Sequence, residues 1–379
     1  MPFGLYVHFP FCRNTCSYCD FYKEKHQAAL EREFYHALRI ETELAAEHPA
    51  VQRSQVTTIF IGGGTPNISD PDLLTDWLGH LRRHIDVADE IEFTIECNPE
   101  AVTREQLERL KGLGVNRPVF GVQSFNTRLL KLLDRRHHPH DSYRAIYYAN
   151  ALGFRAWGVD FIFGLPGQTS KMLAADLDQL LDFEPPHVSY YQLTVEEGTP
   201  LWRRVKAGKL RMPDQELLLA LYRGGVEQMA DLGYLRYEVS SFARPGFECR
   251  HNLGYWEGAE YLGLGPSAHS YLDNTRFANW PNVREYIKAL QAGILPRTVD
   301  ESGAPERMTE AIMLGLRTAR GISRSAFAER FGQPIESRLD TEQYALLVES
   351  GHLIPERGML RLSEEGIHLA DEITRRLLK

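Results

Sequence analysis

Along the first two-thirds of the chain, short apolar runs alternate with stretches whose apolar residues recur every three to four positions. The runs predict strands near 4–8, 56–61, 91–96, 117–122, 156–163 and 187–194. The amphipathic stretches predict helices near 28–47, 71–84, 103–112, 126–133, 141–152 and 170–182. Ser69 and Asp70, Thr103, Asp141, and Thr169 or Ser170 stand where side-chain oxygens can cap a first helical turn. Six strands, each followed by a helix, imply parallel pairing, because a parallel pair needs a long crossover. The strands are apolar at nearly every position, as expected when both sheet faces are covered. Six units fall short of a closed eightfold barrel. The fold class is α/β, best fitted by an open, partial (β/α)6 barrel, with a doubly wound sheet as the alternative.

Beyond residue 200 the pattern changes. A basic stretch (Arg203, Arg204, Lys206, Lys209, Arg211) leads to a long predicted helix near 214–232 and a strand near 235–242. Residues 243–283, rich in Gly, Tyr, Trp and Asn, read as ordered loops. Then follow helices at 304–318, 323–331 and 341–350, a short β pair at 352–362 and a helix at 363–378. Helices closed by a small hairpin resemble a winged-helix module. The expected division is a barrel core at 1–200, a barrel extension at 201–300 and a C-terminal winged-helix-like domain at 301–379.

Composition narrows the function classes. With 379 residues, 43% hydrophobic and 25% charged, the chain is a globular protein with a real core, longer than one ordinary domain. A formal net charge of -8 argues against nucleic acid as a partner. The tail module has 11 Lys+Arg against 14 Asp+Glu over 300–379, so its winged-helix look does not imply DNA. No apolar run reaches the roughly 18 residues of a membrane span. The N-terminal Met-Pro-Phe-Gly-Leu-Tyr-Val-His lacks the basic flank and apolar stretch of a secretion signal. The five cysteines are Cys12, Cys16, Cys19, Cys97 and Cys249, an odd number with three in eight residues and no disulfide framework. A reducing cytoplasm fits, and leaves thiolates free to hold metal.

Cys12-Arg-Asn-Thr-Cys16-Ser-Tyr-Cys19 is the sharpest chemical signal. Three thiolates on one loop can each take one iron of a cubane [4Fe–4S] cluster, leaving the fourth iron open, since full cysteine ligation needs four. An open metal position can chelate a small molecule. A zinc site completed by a histidine, or buried structural cysteines, are the competing readings; no second CxxC pair supports zinc. Gly62-Gly63-Gly64-Thr65-Pro66 follows the second strand, where glycines let the backbone approach a ligand. Taken alone it also fits a plain strand-to-helix turn. Glu96 at the end of strand three, Gln123 after strand four and Asp160 within strand five are polar where barrel ligands bind, although ordinary hydrogen-bonded polarity explains each as well. Arg135 reads as a partner for a carboxylate or as a solvated helix end.

A Cys-x3-Cys-x2-Cys run just after a first strand resembles the signature of the radical SAM superfamily. The resemblance implies a [4Fe–4S] cluster on Cys12, Cys16 and Cys19, with its open iron chelated by the amino and carboxylate groups of S-adenosylmethionine (SAM). In enzymes of the family an electron from the cluster cleaves SAM to a 5′-deoxyadenosyl radical. The resemblance further implies that Tyr6, Gly63, Gly64, Thr65, Glu96, Gln123, Arg135 and Asp160 surround SAM. Arg135 is then expected near the methionine carboxylate, and Glu96, Gln123 and Asp160 near the ribose and amine.

The segments Leu5–His8 with Phe9-Pro10, Gly121–Phe125, Gly164–Thr169 and Gly263–Gly265 look like the coproporphyrinogen dehydrogenase-like branch, over nearly the whole chain. Dehydrogenases of that branch carry a fourth cysteine two residues after the third. Phe21 stands there instead, which argues against that activity. His251-Asn252-Leu253-Gly254-Tyr255-Trp256 is similar to the HNxxYW motif of the branch's heme chaperones, which pass heme to acceptors such as respiratory enzymes. The resemblance implies heme at His251, Asn252, Tyr255 and Trp256. A neutral imidazole is a good axial ligand, and aromatic rings can cover a macrocycle. By residue type alone His251 reads as a hydrogen-bonded core histidine, and Cys249 as a small buried hydrophobe rather than a thiolate ligand.

The expected function is therefore a heme chaperone on a cluster- and SAM-binding scaffold, with a radical enzyme acting on a tetrapyrrole as the rival. Expected partners are heme, heme-acceptor proteins including membrane-associated ones, a reductant for the cluster and a second copy in a homodimer. His8 reads as facing the cluster or packing, and Cys97 as buried filler. His137, His138 and His140 read as an exposed loop rather than metal ligands.

Overall fold

A computed structural model describes residues 3–379; Met1 and Pro2, at the head of the stretch read for a secretion signal, lie outside the described residues. Six parallel strands run in sequence order: β1 (Phe3–Phe9), β2 (Val56–Gly63), β3 (Val87–Cys97), β4 (Arg117–Gln123), β5 (Gly158–Phe163) and β6 (His187–Gln192). Strictly sequential order is that of a barrel; a doubly wound sheet reverses direction at a switch point, and none occurs here. The outer face is covered by helices that include α1 (Ala28–Ala46), α2 (Pro71–His84), α3 (Arg104–Gly112), α4 (Pro139–Ala151) and α5 (Ser170–Asp178). Asp70, Thr103 and Thr169 cap α2, α3 and α5 as the sequence suggests. Asp141 does not: His138 is the N-cap of α4, and Asp141 at the third helical position accepts its N–H at 2.8 Å. Pro139 opens that helix two residues early because its missing N–H costs nothing in a first turn.

The long helix α6 (Gln215–Asp231) follows, then β7 (Leu235–Glu238) and β8 (Ser241–Ala243), which extend the sheet antiparallel beyond β6. The expectation of loops over 243–283 is wrong. That stretch holds helix α7 (Arg250–Trp256) and strands β9 (Tyr261–Leu264), β10 (His269–Leu272) and β11 (Thr275–Asn279). β9 pairs parallel with the free edge of β1, adding a seventh parallel strand, and β10, β11 and β12 (Arg297–Asp300) continue antiparallel. Glycine hides this strand from composition yet makes it feasible: a Cβ at Gly263 would collide with the His269 carbonyl where β9 and β10 fold back. The twelve-stranded sheet keeps two separate edges, β12 and β7, so the barrel stays open.

Residues 308–377 form their own hydrophobic cluster, around Met308, Ile312, Phe327, Ile335, Leu360 and Leu377. Its helices include α8 (Ala304–Gly315), α9 (Arg324–Phe331), α10 (Thr341–Glu349) and α11 (Ala370–Leu377), beside a three-stranded sheet that contains the expected hairpin. The last helix is shorter than expected, because Leu369 leaves helical geometry and separates Glu364–Ile367 from α11. Arg236 with Glu364, Arg223 with Glu365 and Arg276 with Glu310 pin this unit to the barrel. No helix among the described residues is long and apolar enough to cross a membrane.

Candidate iron–sulfur and SAM site

The C-terminal strand ends surround a cavity of about 770 Å³. β1 ends at Phe9, and the cysteine loop starts at once; Phe11–Cys12 pairs with Glu24–Lys25 and closes the loop on itself. The glycine turn after β2 braces it from behind. Gly64 N–H donates to the Phe9 carbonyl and Thr65 N–H to the Phe11 carbonyl, each at 2.8 Å. A Cβ at Gly64 would stand 2.6 Å from the Phe11 oxygen, so only glycine permits this approach. Thr65 Oγ1 donates to Cys12 Sγ at 3.4 Å. Lys23 Nζ donates to the carbonyls of Cys19 and Phe21 at 2.7 and 2.9 Å.

Cys12, Cys16 and Cys19 all line the cavity as free thiols. Burial, reinforced by the other cysteines of the trio, pushes the Cys12 and Cys19 thiols up. Converging sulfurs whose charge is penalised until a cation arrives suit a metal cluster. Cys97 and Cys249 also border the cavity but are 2% exposed. Cys249 Sγ is turned to Glu92 at 3.5 Å, and burial raises the Cys97 thiol still further.

Of the eight residues expected around SAM, seven line this same cavity: Gly63, Gly64, Thr65, Glu96, Gln123, Arg135 and Asp160. Tyr6 does not. It shares a face of β1 with His8, bonds His8 Nδ1 at 3.1 Å, and lines a neighbouring cavity. Burial and the charge of Asp160 push Glu96 up to about 7, against the Gly63 N–H at 3.1 Å and Arg135. Burial pushes Asp160 up to about 6, against a Ser189 hydrogen bond and Arg135. Arg135 is no solvated helix end. Its Nη1 donates to Asn98 Oδ1 at 2.7 Å, its Nε has no hydrogen-bond partner, and no carboxylate lies within 4.0 Å among the described residues. Two acids beside an unpaired guanidinium match the ammonium and carboxylate of an amino acid, so the residues fit SAM. Gln123 holds a left-handed backbone, φ 64°, a strain of about 1–3 kcal/mol of the kind found at functional sites. Its Oε1 accepts from Tyr191 Oη at 2.9 Å.

A Cβ at Gly121 would come 2.8 Å from both Arg135 Nη2 and Gln123 Nε2. Gly121→Ala is therefore expected to keep its thermal stability, since two mobile side-chain ends can move. It should weaken SAM binding about tenfold. Calorimetric titration of cluster-loaded protein checks this, and unchanged affinity would remove both side chains from the ligand's surroundings.

The HNxxYW segment is helix α7, not a loop. Its first turn is held by Glu92 of β3, which accepts from Arg250 N–H at 3.0 Å and His251 N–H at 2.9 Å. Glu92 in turn faces Arg117, 2% exposed, at 3.7 Å. Asn252, Tyr255 and Trp256 line the large cavity. The buried imidazole of His251 reaches neither large cavity: Nδ1 bonds Thr58 Oγ1 at 2.8 Å, Nε2 bonds Tyr255 Oη at 2.7 Å, and Phe60 stacks on it at 5.3 Å. Burial pushes His251 down to about 3, so it is neutral. His8 is likewise engaged at both nitrogens. His137 is buried rather than exposed, bonded to the Val122 carbonyl at 3.0 Å, while His138 and His140 are exposed. Asn98, Tyr191 and Ser189 were missed. Asn98 lies two residues past Glu96 at a strand end, where the rule that picked Gln123 applies equally. Glu92, a polar residue inside the predicted strand 91–96 but at its N-terminal end, was also missed.

Residues 6–180 match the Radical SAM superfamily and residues 304–369 the HemN C-terminal domain. The heme chaperone HemW of Bacillus subtilis is 34% identical over 97% of this chain and 95% of its own length. The heme chaperone HemW of Mycobacterium tuberculosis is 36% identical over 100% of this chain and 95% of its own. The solved structure of the Escherichia coli coproporphyrinogen III oxidase HemN, a radical SAM enzyme, superposes with a TM-score of 0.85 at 21% identity, covering 99% of this chain and 89% of that one, and so shares the fold. Radical SAM membership implies a [4Fe–4S] cluster and SAM, for which the cavity offers the donors just described. By identity and by coverage, the chain belongs to the radical SAM superfamily and, within it, to the HemW family.

Proposed function

We propose that this protein is a heme chaperone, binding heme and delivering it to acceptor proteins from a scaffold that holds a [4Fe–4S] cluster and SAM. The observation that carries this reading is the full-length relation to proteins named heme chaperone HemW. Phe21, where coproporphyrinogen dehydrogenases carry a fourth cysteine, supports it against the tetrapyrrole-modifying enzyme. Heme-requiring respiratory enzymes, some membrane-associated, are the acceptors this reading implies, with a reductant for the cluster and a homodimeric state as further parts of it.

Bound, the cluster supplies an open iron and one-electron chemistry. On the protein side, Cys12, Cys16 and Cys19 would hold three irons, Arg135 the methionine carboxylate, and Glu96 with Asp160 the amine and ribose hydroxyls. Heme titration of anaerobically reconstituted protein, followed by mixing with a heme-free acceptor, tests the function. Saturable binding and transfer are expected. Absence of specific heme binding, with repeated 5′-deoxyadenosine formation on a porphyrinogen, would establish the enzyme instead.

The two raised acids give a pH signature. Glu96 at about 7 and Asp160 at about 6 must ionise to hold a cationic ligand. SAM affinity should be full above pH 7 and fall as pH drops through 7 and then 6, by at most about tenfold per pH unit per carboxylate. Because both folded-state values are raised, the acids destabilise the SAM-free fold as pH rises through that window. SAM should therefore raise the melting temperature more at about pH 8 than at about pH 6. Asp160→Asn should remove the lower limb, and a flat wild-type profile would exclude both acids from the ligand.

A further inference from the structure

The large cavity is lined by the groups that fit a cluster and SAM, so a third ligand needs another place. A second cavity of about 520 Å³ adjoins it, between the β1 and β9–β11 strands and helices α8 and α9 of the C-terminal unit. Its size falls within the roughly 300–1,000 Å³ usual for small-molecule sites. Its walls are aromatic: Tyr6, Phe21, Tyr22, Tyr255, Tyr261 and Tyr271. Phe21 is 65% exposed, a large apolar face at the mouth of the cavity with nothing over it. Flat aromatic walls suit a flat, conjugated ligand.

Cationic groups outnumber carboxylates at the same cavity, three arginines against Asp20 and Glu310. Arg276, Arg307 and Arg330 line it. Arg276 is neutralised by Glu310. Arg307 donates only to the Ser302 carbonyl at 2.8 Å, and Arg330 to Tyr271 Oη at 2.8 Å; neither has a carboxylate within 4.0 Å among the described residues. Two guanidiniums without anions, beside aromatic walls, ask for a planar ligand carrying two carboxylates. Heme is such a molecule.

An imidazole is also available. His269 lines the cavity and is exposed, and its side chain makes no hydrogen bond among the described residues. It contrasts with His251 and His8, both of whose ring nitrogens are taken. Partial desolvation of the ring at the cavity wall and the charge of Arg276 push His269 down, which keeps it neutral and able to bind metal.

We propose that the heme cargo sits in this second cavity, with its propionates on Arg307 and Arg330 and its iron facing His269. This rests on the heme-chaperone reading. His251 is then a positioning residue: it fixes the hydroxyl of Tyr255, whose ring lines both cavities. Asp20 and Phe21, directly after Cys19, also line both, so the cluster loop touches the cargo.

The test is a heme titration of cluster-loaded wild type, His269→Ala, the double variant Arg307→Gln/Arg330→Gln, and His251→Ala, with circular dichroism and iron content recorded for each. Wild type should saturate at one heme per chain. His269→Ala should change the axial-ligand signature in absorption and electron paramagnetic resonance. The double variant should weaken heme about tenfold or more while leaving heme dimethyl ester unaffected. Wild-type binding that neither His269→Ala nor the double variant alters, with a changed iron signature in His251→Ala, would overturn the site and leave the chaperone standing. Failure of wild type to bind heme would overturn the chaperone reading itself.

Discussion

Glu92→Ala is expected to lower the unfolding free energy by about 3–5 kcal/mol, the range for removing one partner of a buried ion pair. Glu92 is 7% exposed and Arg117 2% exposed, and they face each other at 3.7 Å. Without the carboxylate, Arg117 keeps only the Phe247 carbonyl at 2.8 Å. The N–H groups of Arg250 and His251 lose their acceptor as well, and the first turn of α7 has no other cap. The functional consequence should follow from the structural one, because α7 carries Asn252, Tyr255 and Trp256 into the cavities. Glu92→Gln keeps one acceptor oxygen and should lose less. Replacing both members by apolar residues should recover part of the loss, because no charge is then left buried. Denaturant titration of the set measures these differences. An alanine variant within about 1 kcal/mol of wild type would show that α7 is anchored elsewhere.

Cys16→Ser should abolish the cluster and, with it, tight SAM binding. Cys16 is half-buried and makes no side-chain hydrogen bond among the described residues, so serine there should leave the secondary structure unchanged. Cys12 is a less clean probe, since it is buried and accepts from Thr65. Two cysteines serve as controls. Cys97→Ser and Cys249→Ala should both retain iron, because the Cys97 thiol on β3 is turned to the Ile95 carbonyl at 3.8 Å and Cys249 faces Glu92. Iron and sulfide content after anaerobic reconstitution, with the visible spectrum, reads all three. A full complement of iron in Cys16→Ser, or its loss in Cys97→Ser, would reassign the ligands.

Much of this was legible in local pattern. The central parts of the barrel strands are covered on both faces, so they read as largely apolar runs, and each is followed by a periodic helix; both signals lie within a dozen or so residues. The cysteine trio lies within eight residues, so its spacing favours a cluster, with zinc and buried structural cysteines as the competing readings. Glu96, Gln123 and Asp160 stand out because a polar side chain in an apolar strand has few reasons to be there. The dense Gly and aromatic content of 243–283 gave the opposite message: it reads as loop, whereas close backbone approach at Gly263 makes it strand.

Periodicity and spacing, written into neighbouring residues, were enough to mark the six barrel strands and to single out the cysteine trio as the candidate cluster ligands, while the sheet order that excludes a doubly wound fold came from the folded chain. Partnership was decided by the folded chain. Glu92 caps a helix that begins 158 residues later in the sequence, Arg135 finds Asn98 across the rim, and Tyr6 falls on a strand face that turns it toward a different cavity from its expected companions. The same holds for the histidines. His251 and His269 are equivalent as residue types, but one has both nitrogens bonded in the core and the other has neither. Whether a polar atom is satisfied depends on groups brought to it by long-range packing, and no local pattern encodes which groups those are.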